Sequence, residues 1–413
     1  ISPVGGMIAF RIEAKSSGPV DLNALSLAIA APLEEPVEVD VYLLGGQSNM
    51  LGLGVLSELD ATQRTPPAEV FYWNGSSFEA LIPGTTQTAG SGQFGPEIGF
   101  ATEIARRGRK AYIIKYANSG KPLDAGWNDQ SWIGDPPGTN RVNFYPGLSA
   151  ADAHQGTLYR DAMLPRFQAG IEAIRAVGET PVVKGLVWMQ GEQDSKNAVS
   201  AGRYAENLAR LRDRLESDLA LTLSGPLPVV FGQVLPHEPP EERFAFRSEI
   251  RAEMALADQD SGSPKAIVKG RMVSTDGLPV LPSPDAVHYT TAGQLELGKR
   301  LAKALAELSA QPLHVAFHRT AATRDAMAPA APPLAQGAVV RTDTTHWNNL
   351  LGETAHTFSA VPLVNADGTE PGAWASGTTG YTGTNANGWA SADKDAVMME
   401  GWYGFNAAES LTI

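Results

Sequence analysis

Between about Glu38 and Ser309 the chain alternates short apolar runs with longer stretches whose apolar residues recur at helical spacing. This is the pattern of strand–helix units that build a parallel sheet. The runs at 39–45, 110–117, 182–189, 228–234 and 266–274 are the predicted strands. Val41-Tyr42-Leu43-Leu44 and Leu186-Val187-Trp188-Met189 are continuously apolar rather than alternating, so these strands are expected to be covered on both faces. The covering helices show as single apolar stripes: Tyr204, Leu208, Leu211 and Leu215; Leu297, Leu301, Leu305 and Leu308; Leu164, Phe167, Ile171 and Ile174. A fourth helix is expected around 96–107. Pro165, near the start of the third stripe, fits only if the helix begins or kinks there. Five strands interleaved with such helices predict a three-layer α/β/α domain, whose ligands lie outside the carboxyl ends of the strands.

The pattern breaks after Ser309. Residues 326–337 read AMAPAAPPLAQG, an extended Ala/Pro stretch. Residues 338–413 are rich in Gly, Thr, Asn, Trp and Tyr, with turn signals at Ala366-Asp367-Gly368 and Asn387-Gly388, the composition of an all-β module. The first 31 residues also look like strands but are too few for a sandwich of their own. The expected organisation is accessory β-strands over 1–36, an α/β domain over 37–311, a linker over 312–337 and a β-rich module over 338–413. The C-terminal module resembles the opening strands of a jelly-roll binding module at His346-Trp347-Asn348-Asn349 and Val364-Asn365-Ala366-Asp367-Gly368, while residues 7–29 resemble its closing strands. Either one β-sandwich is assembled from both termini or there are two incomplete modules.

Composition narrows the partners. Hydrophobic residues make up 43% of the 413 positions and charged residues 19%, which excludes a disordered chain. A formal net charge of −13 repels phosphate polymers, so nucleic acid is not an expected partner. Without cysteine there is no thiolate nucleophile, no disulfide framework and no zinc–thiolate site. No run approaches the roughly 18 apolar residues of a membrane span. A chain opening at Ile1 fits a mature secreted product or an excised fragment, so the expected location is secreted or extracytoplasmic.

The sharpest local feature is Gly45-Gly46-Gln47-Ser48-Asn49-Met50, directly after the first apolar strand. A serine on a tight turn at a strand's carboxyl end exposes its hydroxyl, and the following turn offers N–H groups to a developing oxyanion. The alternative is a turn that only connects elements. A serine nucleophile needs a base, and three of the seven histidines, His288, His346 and His356, have an acid three residues earlier: Asp285, Asp343 and Glu353. Location separates them. His288 follows the last predicted strand and precedes the Leu297 helix, whereas the other two lie in the β-rich tail. Trp188-Met189-Gln190-Gly191-Glu192-Gln193-Asp194 brings an amide and carboxylates to the same edge. Gln190 is a candidate oxyanion donor, and Glu192 a candidate for positioning the imidazole or binding a sugar hydroxyl. Gly120, in Tyr116-Ala117-Asn118-Ser119-Gly120, could supply another N–H.

These four motifs, in this order, resemble the SGNH (GDSL-like) hydrolase superfamily, specifically its sialate O-acetylesterase and carbohydrate esterase family six branch, over about residues 38–309. The resemblance implies a flavodoxin-like fold and a secreted, cofactor-free and metal-independent esterase acting on acetylated polysaccharide or oligosaccharide. It implies Ser48 as nucleophile, His288 as base and Asp285 as orienting acid, with the Ser48 N–H, the Gly120 N–H and the Gln190 side chain as oxyanion hole. Glu192 competes with Asp285 for the acid role, and Gln47, Asn49, Asp194 and Trp127 are candidate substrate contacts. Other readings remain open at this level. Glu192 and Asp194 could be the carboxylate pair of a glycosidase, or the α/β domain could be inactive and the β modules a carbohydrate-binding device. A lipase has no apolar lid in the sequence to support it.

Overall fold

The computed structural model describes residues 37–134, 141–237 and 242–309, and beyond them the backbone of six short strands. The chain divides into two compact units, residues 1–308 and 309–413. In the first unit the sheet is built from β1 (Glu38–Gly46), β2 (Val70–Trp73), β3 (Phe78–Ala80), β4 (Ala111–Ala117), β5 (Thr180–Met189), β6 (Val229–Gly232) and β7 (Gly270–Val273). Their order is β3-β2-β4-β1-β5-β6-β7, parallel throughout except for the β2–β3 hairpin. From β4 to β7 this is a doubly wound order, which reverses at β1 and opens a crevice at that strand's carboxyl end.

The helices are α1 (Glu97–Ala105), α2 (Leu164–Ala176), α3 (Tyr204–Asp218), α4 (Arg247–Ala257) and α5 (Thr291–Ser309). They cover both faces, as the unbroken apolar runs require. β1 is buried at every residue but its first. On one face Tyr42 meets Phe100 of α1 edge-on at 5.2 Å, and Leu305 of α5 lies over Gly185. On the other, Gly170 of α2 sits on Ile114, and Trp188 Nε1 donates to the Tyr204 hydroxyl of α3 at 3.2 Å. The chain reaches Pro165 through a π-helical turn, Leu158–Met163, that gives way to α2 at Leu164. Pro165, with no N–H to donate, falls at that junction.

The apolar runs do not announce the β2–β3 hairpin. Its strands have four and three residues, and its turn is closed by the Asn74 side chain, which accepts from the Ser76 and Ser77 N–H groups. β7 is shorter than the apolar pattern at 266–274 predicts, because Ile267 N–H turns back to Ala257 O and Gly270 N–H to Ile267 O.

In the second unit His314–His318 pairs in parallel with His346–Leu351, which pairs antiparallel with Ala338–Val340. A second sheet joins Thr357–Pro362, Trp374–Thr378 and Ser410–Thr412, all antiparallel. The strand His314–His318 lies within the stretch 312–337 expected as a linker. The accessory strands expected over residues 1–36, and with them the choice between one sandwich and two, lie outside the described residues. Among the described residues no helix is long and apolar enough to cross a membrane, and no cluster of acidic or histidine side chains is arranged to hold a metal.

Candidate active site

β1 ends at the switch point of the sheet, and the chain there turns sharply. Gly46 adopts φ +149°, and a Cβ on it would fall 2.0 Å from the Met189 carbonyl oxygen, so the position admits only glycine. The Gln47 N–H still bonds Met189 O at 2.9 Å, and the Gln47 carbonyl accepts from the Met50 and Leu51 N–H groups. Ser48 thus opens a one-turn helix, Ser48–Leu51, at the wall of a cavity of about 170 Å³.

The opposite wall comes from the loop before α5. Asp285 Oδ1 accepts the N–H groups of Val287 (3.0 Å) and His288 (2.9 Å), which folds the loop into a tight turn and brings the ring onto the carboxylate. His288 Nδ1 lies 2.8 Å from Asp285 Oδ2, and His288 Nε2 lies 2.9 Å from Ser48 Oγ. The carboxylate only accepts, so Nδ1 carries the proton and Nε2 is left to accept the Ser48 O–H. Burial pushes the Asp285 carboxyl upward, but hydrogen bonds from the His288 ring and from the His288 and Val287 N–H groups outweigh it, leaving it below the usual carboxylate range. The rival pairs at His346 and His356 belong to the second unit, and their side chains lie outside the described residues.

Gly120 lines the same cavity with φ +64°, a conformation that suits glycine. Neither its N–H nor that of Ser48 bonds a partner among the described residues; the latter, first in its helix, has no preceding carbonyl to reach. Gln190, the third expected oxyanion donor, does not line the cavity. Its side chain is fully buried, and Nε2 donates among Asp194 Oδ2, Lys121 O and Gln47 Oε1. Both its hydrogens are thereby engaged away from the cavity. Gln47 does line the cavity, its side-chain oxygen Oε1 held by the Gly191 and Gln193 N–H groups and by Gln190 Nε2, which leaves its side-chain NH₂ as a donor.

Asn49, Asp194 and Trp127, expected as substrate contacts, likewise do not line the cavity. Asn49 ties three segments together: Nδ2 donates to Glu192 Oε1 (2.6 Å) and Val287 O (3.3 Å), and Oδ1 accepts the Tyr289 N–H. Asp194 is fully buried and accepts from the Leu123 and Asp124 N–H groups, Ser200 Oγ and Gln190. Burial pushes it up to about 7 in spite of those bonds. It anchors the strap that follows Gly120 and is not part of the cavity wall. Trp127 packs against Trp132 at 5.3 Å in a loop bridge, away from the cavity wall. Glu192, by contrast, lines the cavity at 2% exposure, its Oε2 without a hydrogen bond. Burial pushes its carboxyl up against the Asn49 hydrogen bond and the His288 charge.

Residues 38–307 match the family model described as carbohydrate esterase, sialic acid-specific acetylesterase. The chain belongs to this family. The matched span takes in the sheet and both walls of the cavity, and the protein is a carbohydrate O-acetylesterase. Among solved structures this acetylesterase is similar to a protein from Arabidopsis thaliana (20% identity, covering 66% of this chain and 99% of that one, TM-score 0.46). It is also similar to NanS (14% identity, 67% and 99%, TM-score 0.45) and to a carbohydrate acetylesterase from Xanthomonas citri (18% identity, 68% and 59%, TM-score 0.42). No curated protein sequence matches the chain.

The acetylesterase's cavity also contains residues that sequence reasoning missed. Lys196 Nζ and the Arg243 guanidinium lie 5.3 and 5.5 Å from the Phe244 ring, and Arg243 donates to the Asp285 carbonyl at 3.0 Å. Arg243 and Phe244 sit in no motif. The signal available was their place after the carboxyl end of β6, where parallel sheets build sites.

Proposed function

We propose that this acetylesterase removes O-acetyl groups from carbohydrate as a serine enzyme, with Ser48 as nucleophile, His288 as base, Asp285 as orienting acid and an acetyl-enzyme between two half-reactions. The observation that carries the reading is the unbroken run Ser48 Oγ to His288 Nε2 (2.9 Å) and His288 Nδ1 to Asp285 Oδ2 (2.8 Å) on one cavity.

In the first half-reaction Ser48 Oγ bonds the acetyl carbon as its proton passes to His288 Nε2. The carbonyl oxygen becomes an oxyanion, received by the Ser48 and Gly120 N–H groups and the Gln47 NH₂. The bond from carbon to the sugar oxygen then breaks, and His288 returns the proton to that oxygen. In the second, His288 takes a proton from water as the hydroxide bonds the acetyl carbon, the bond from that carbon to Ser48 Oγ breaks, His288 returns the proton to Oγ, and acetic acid leaves and ionises in solvent. Asp285, held ionised below the usual range, stabilises the imidazolium in both. Glu192, bound to Asn49 rather than to the ring, is left to accept a sugar hydroxyl.

In this reading residues 37–311 are a flavodoxin-like, three-layer catalytic domain, and the β strands that follow it belong to an accessory, carbohydrate-binding module of a secreted enzyme. The test is acetate release from acetylated xylan, from O-acetylated sialic acid and from a small acetyl ester, with Ser48→Ala as the control. Loss of roughly 10³-fold or more on Ser48→Ala supports the serine mechanism; retained release would refute it.

A further inference from the structure

Lys115 lies within β4, and its side chain is fully buried against Glu97 at the start of α1. Its Nζ is 2.6 Å from Glu97 Oε2 and donates to the Leu51 carbonyl at 3.2 Å. Glu97 Oε1 accepts from Thr86 Oγ1 (2.6 Å) and from the Gly95 N–H (3.0 Å). A charge pair taken wholly out of water is poor evidence for stability, because desolvation offsets the attraction and neutral side chains of similar volume often hold a core as well. Neither residue lines the Ser48 cavity, so the mechanism above leaves them unused.

What they do touch is the end of the nucleophile turn. A helix this short leaves its last carbonyls without internal donors, and the Leu51 carbonyl receives an ammonium instead. The turn transmits any displacement of that end, since the Met50 and Leu51 N–H groups bond Gln47 O and the Gly52 N–H bonds Ser48 O. Glu97 provides a second hold through Gly95, which is packed on the turn so closely that a Cβ on Gly52 would fall 2.0 Å from Gly95 Cα. Burial pulls the Lys115 ammonium below its ordinary range, and the Glu97 charge opposes that.

We propose that Lys115, held by Glu97, is a positioning residue that clamps the carbonyl end of the Ser48 turn and so keeps Ser48 Oγ in reach of His288. The proposal rests on the reading of Ser48 as nucleophile.

The experiment compares the full chain with Ser48→Ala, Lys115→Met and Lys115→Met/Glu97→Gln. The readouts are melting temperature, active-site concentration by titration with a serine-directed phosphonate, and kcat and KM on a small acetyl ester. Lys115→Met strands a buried carboxylate and is expected to melt lower or fail to fold. The double variant removes both charges and is expected to melt close to the parent. Its kcat per titrated site is expected to fall about 10–100-fold with KM unchanged, the cost of a misplaced nucleophile, and phosphonate inactivation is expected to slow in parallel. A double variant with kcat per titrated site within about twofold of the parent would overturn the clamp, whatever its melting temperature. If the parent's release survives Ser48→Ala, the nucleophile assignment itself fails; if release depends on Ser48 and the double variant retains it, only the clamp fails.

Discussion

Replacing Asp285 with Asn tests which carboxylate serves His288. The change keeps an Oδ1 that can accept from the Val287 and His288 N–H groups, so the loop keeps its turn. At the Oδ2 position, 2.8 Å from Nδ1, an NH₂ now faces an N–H. Two donors repel, and the ring resolves the conflict by moving its proton to Nε2, where it can no longer accept from Ser48. The expected loss in kcat approaches 10⁴-fold, about 5.5 kcal/mol at 1.36 kcal/mol per factor of ten. Because Asp285 is partly open to water, which screens the charge, about 10³-fold is the lower bound of the expectation. Glu192→Gln keeps the acceptor for Asn49 and alters only the unpartnered oxygen, so it is expected to cost about tenfold or less. The assay is acetate release from a small acetyl ester, normalised by active-site titration, with melting curves on all three proteins. Should Asp285→Asn stay within tenfold of the parent while Glu192→Gln collapses, the acid role belongs to Glu192 and the reasoning from Nδ1 is refuted.

If Gln47 is the oxyanion donor proposed above, Gln47→Ala is expected to lower kcat by about 10²–10³-fold, whereas Gln190→Ala is expected to act through stability. Losing a buried donor to Asp194 and Lys121 O should cost about 1–3 kcal/mol in denaturant melts; equal kcat losses with unchanged stability would reverse the two roles. Asp194, pushed up to about 7 by burial from an ordinary 3.8, binds a proton more tightly folded than unfolded. Its contribution is therefore complete below pH 3.8 and is lost as pH rises through about 7, up to about 4 kcal/mol in all. Asp194→Asn should flatten this part of the stability–pH curve, and an unchanged curve would exclude it. Asp285 has the opposite sign: its carboxyl is held down, so its stabilisation is present above the ordinary carboxylate pKa and lost as pH falls through its lower folded value. Acid melts of Asp285→Asn should accordingly lack that fall, and a parent-like acid limb would count against the His288 contact.

Much of the architecture is written locally. Unbroken apolar runs such as Val41–Leu44 can satisfy themselves only between two layers of helices, so β1 and β5 and the stripes of α2, α3 and α5 are legible from spacing alone. The Ser48 turn is legible too, because Gly46 followed by Gln47 and Ser48 at the end of a buried strand admits few backbone paths. So is the Asp285–His288 pair, since three residues are the reach of one turn. What the sequence leaves undecided is every contact whose partners lie far apart along the chain. The Ser48–His288 bond spans 240 positions, and only the sheet order that sets β1 beside β5 and the α5 loop makes it. Gln190 and Glu192 sit two residues apart in one motif, yet one turns into the core toward Asp194 and the other toward Asn49 and the cavity. Gly191 between them, at φ +147°, lets the chain make that turn. The reach of a side chain is a property of its type; the groups waiting within that reach are set by the packing of distant segments, and for Gln190, Asp194 and Trp127 that packing directs them away from the cavity.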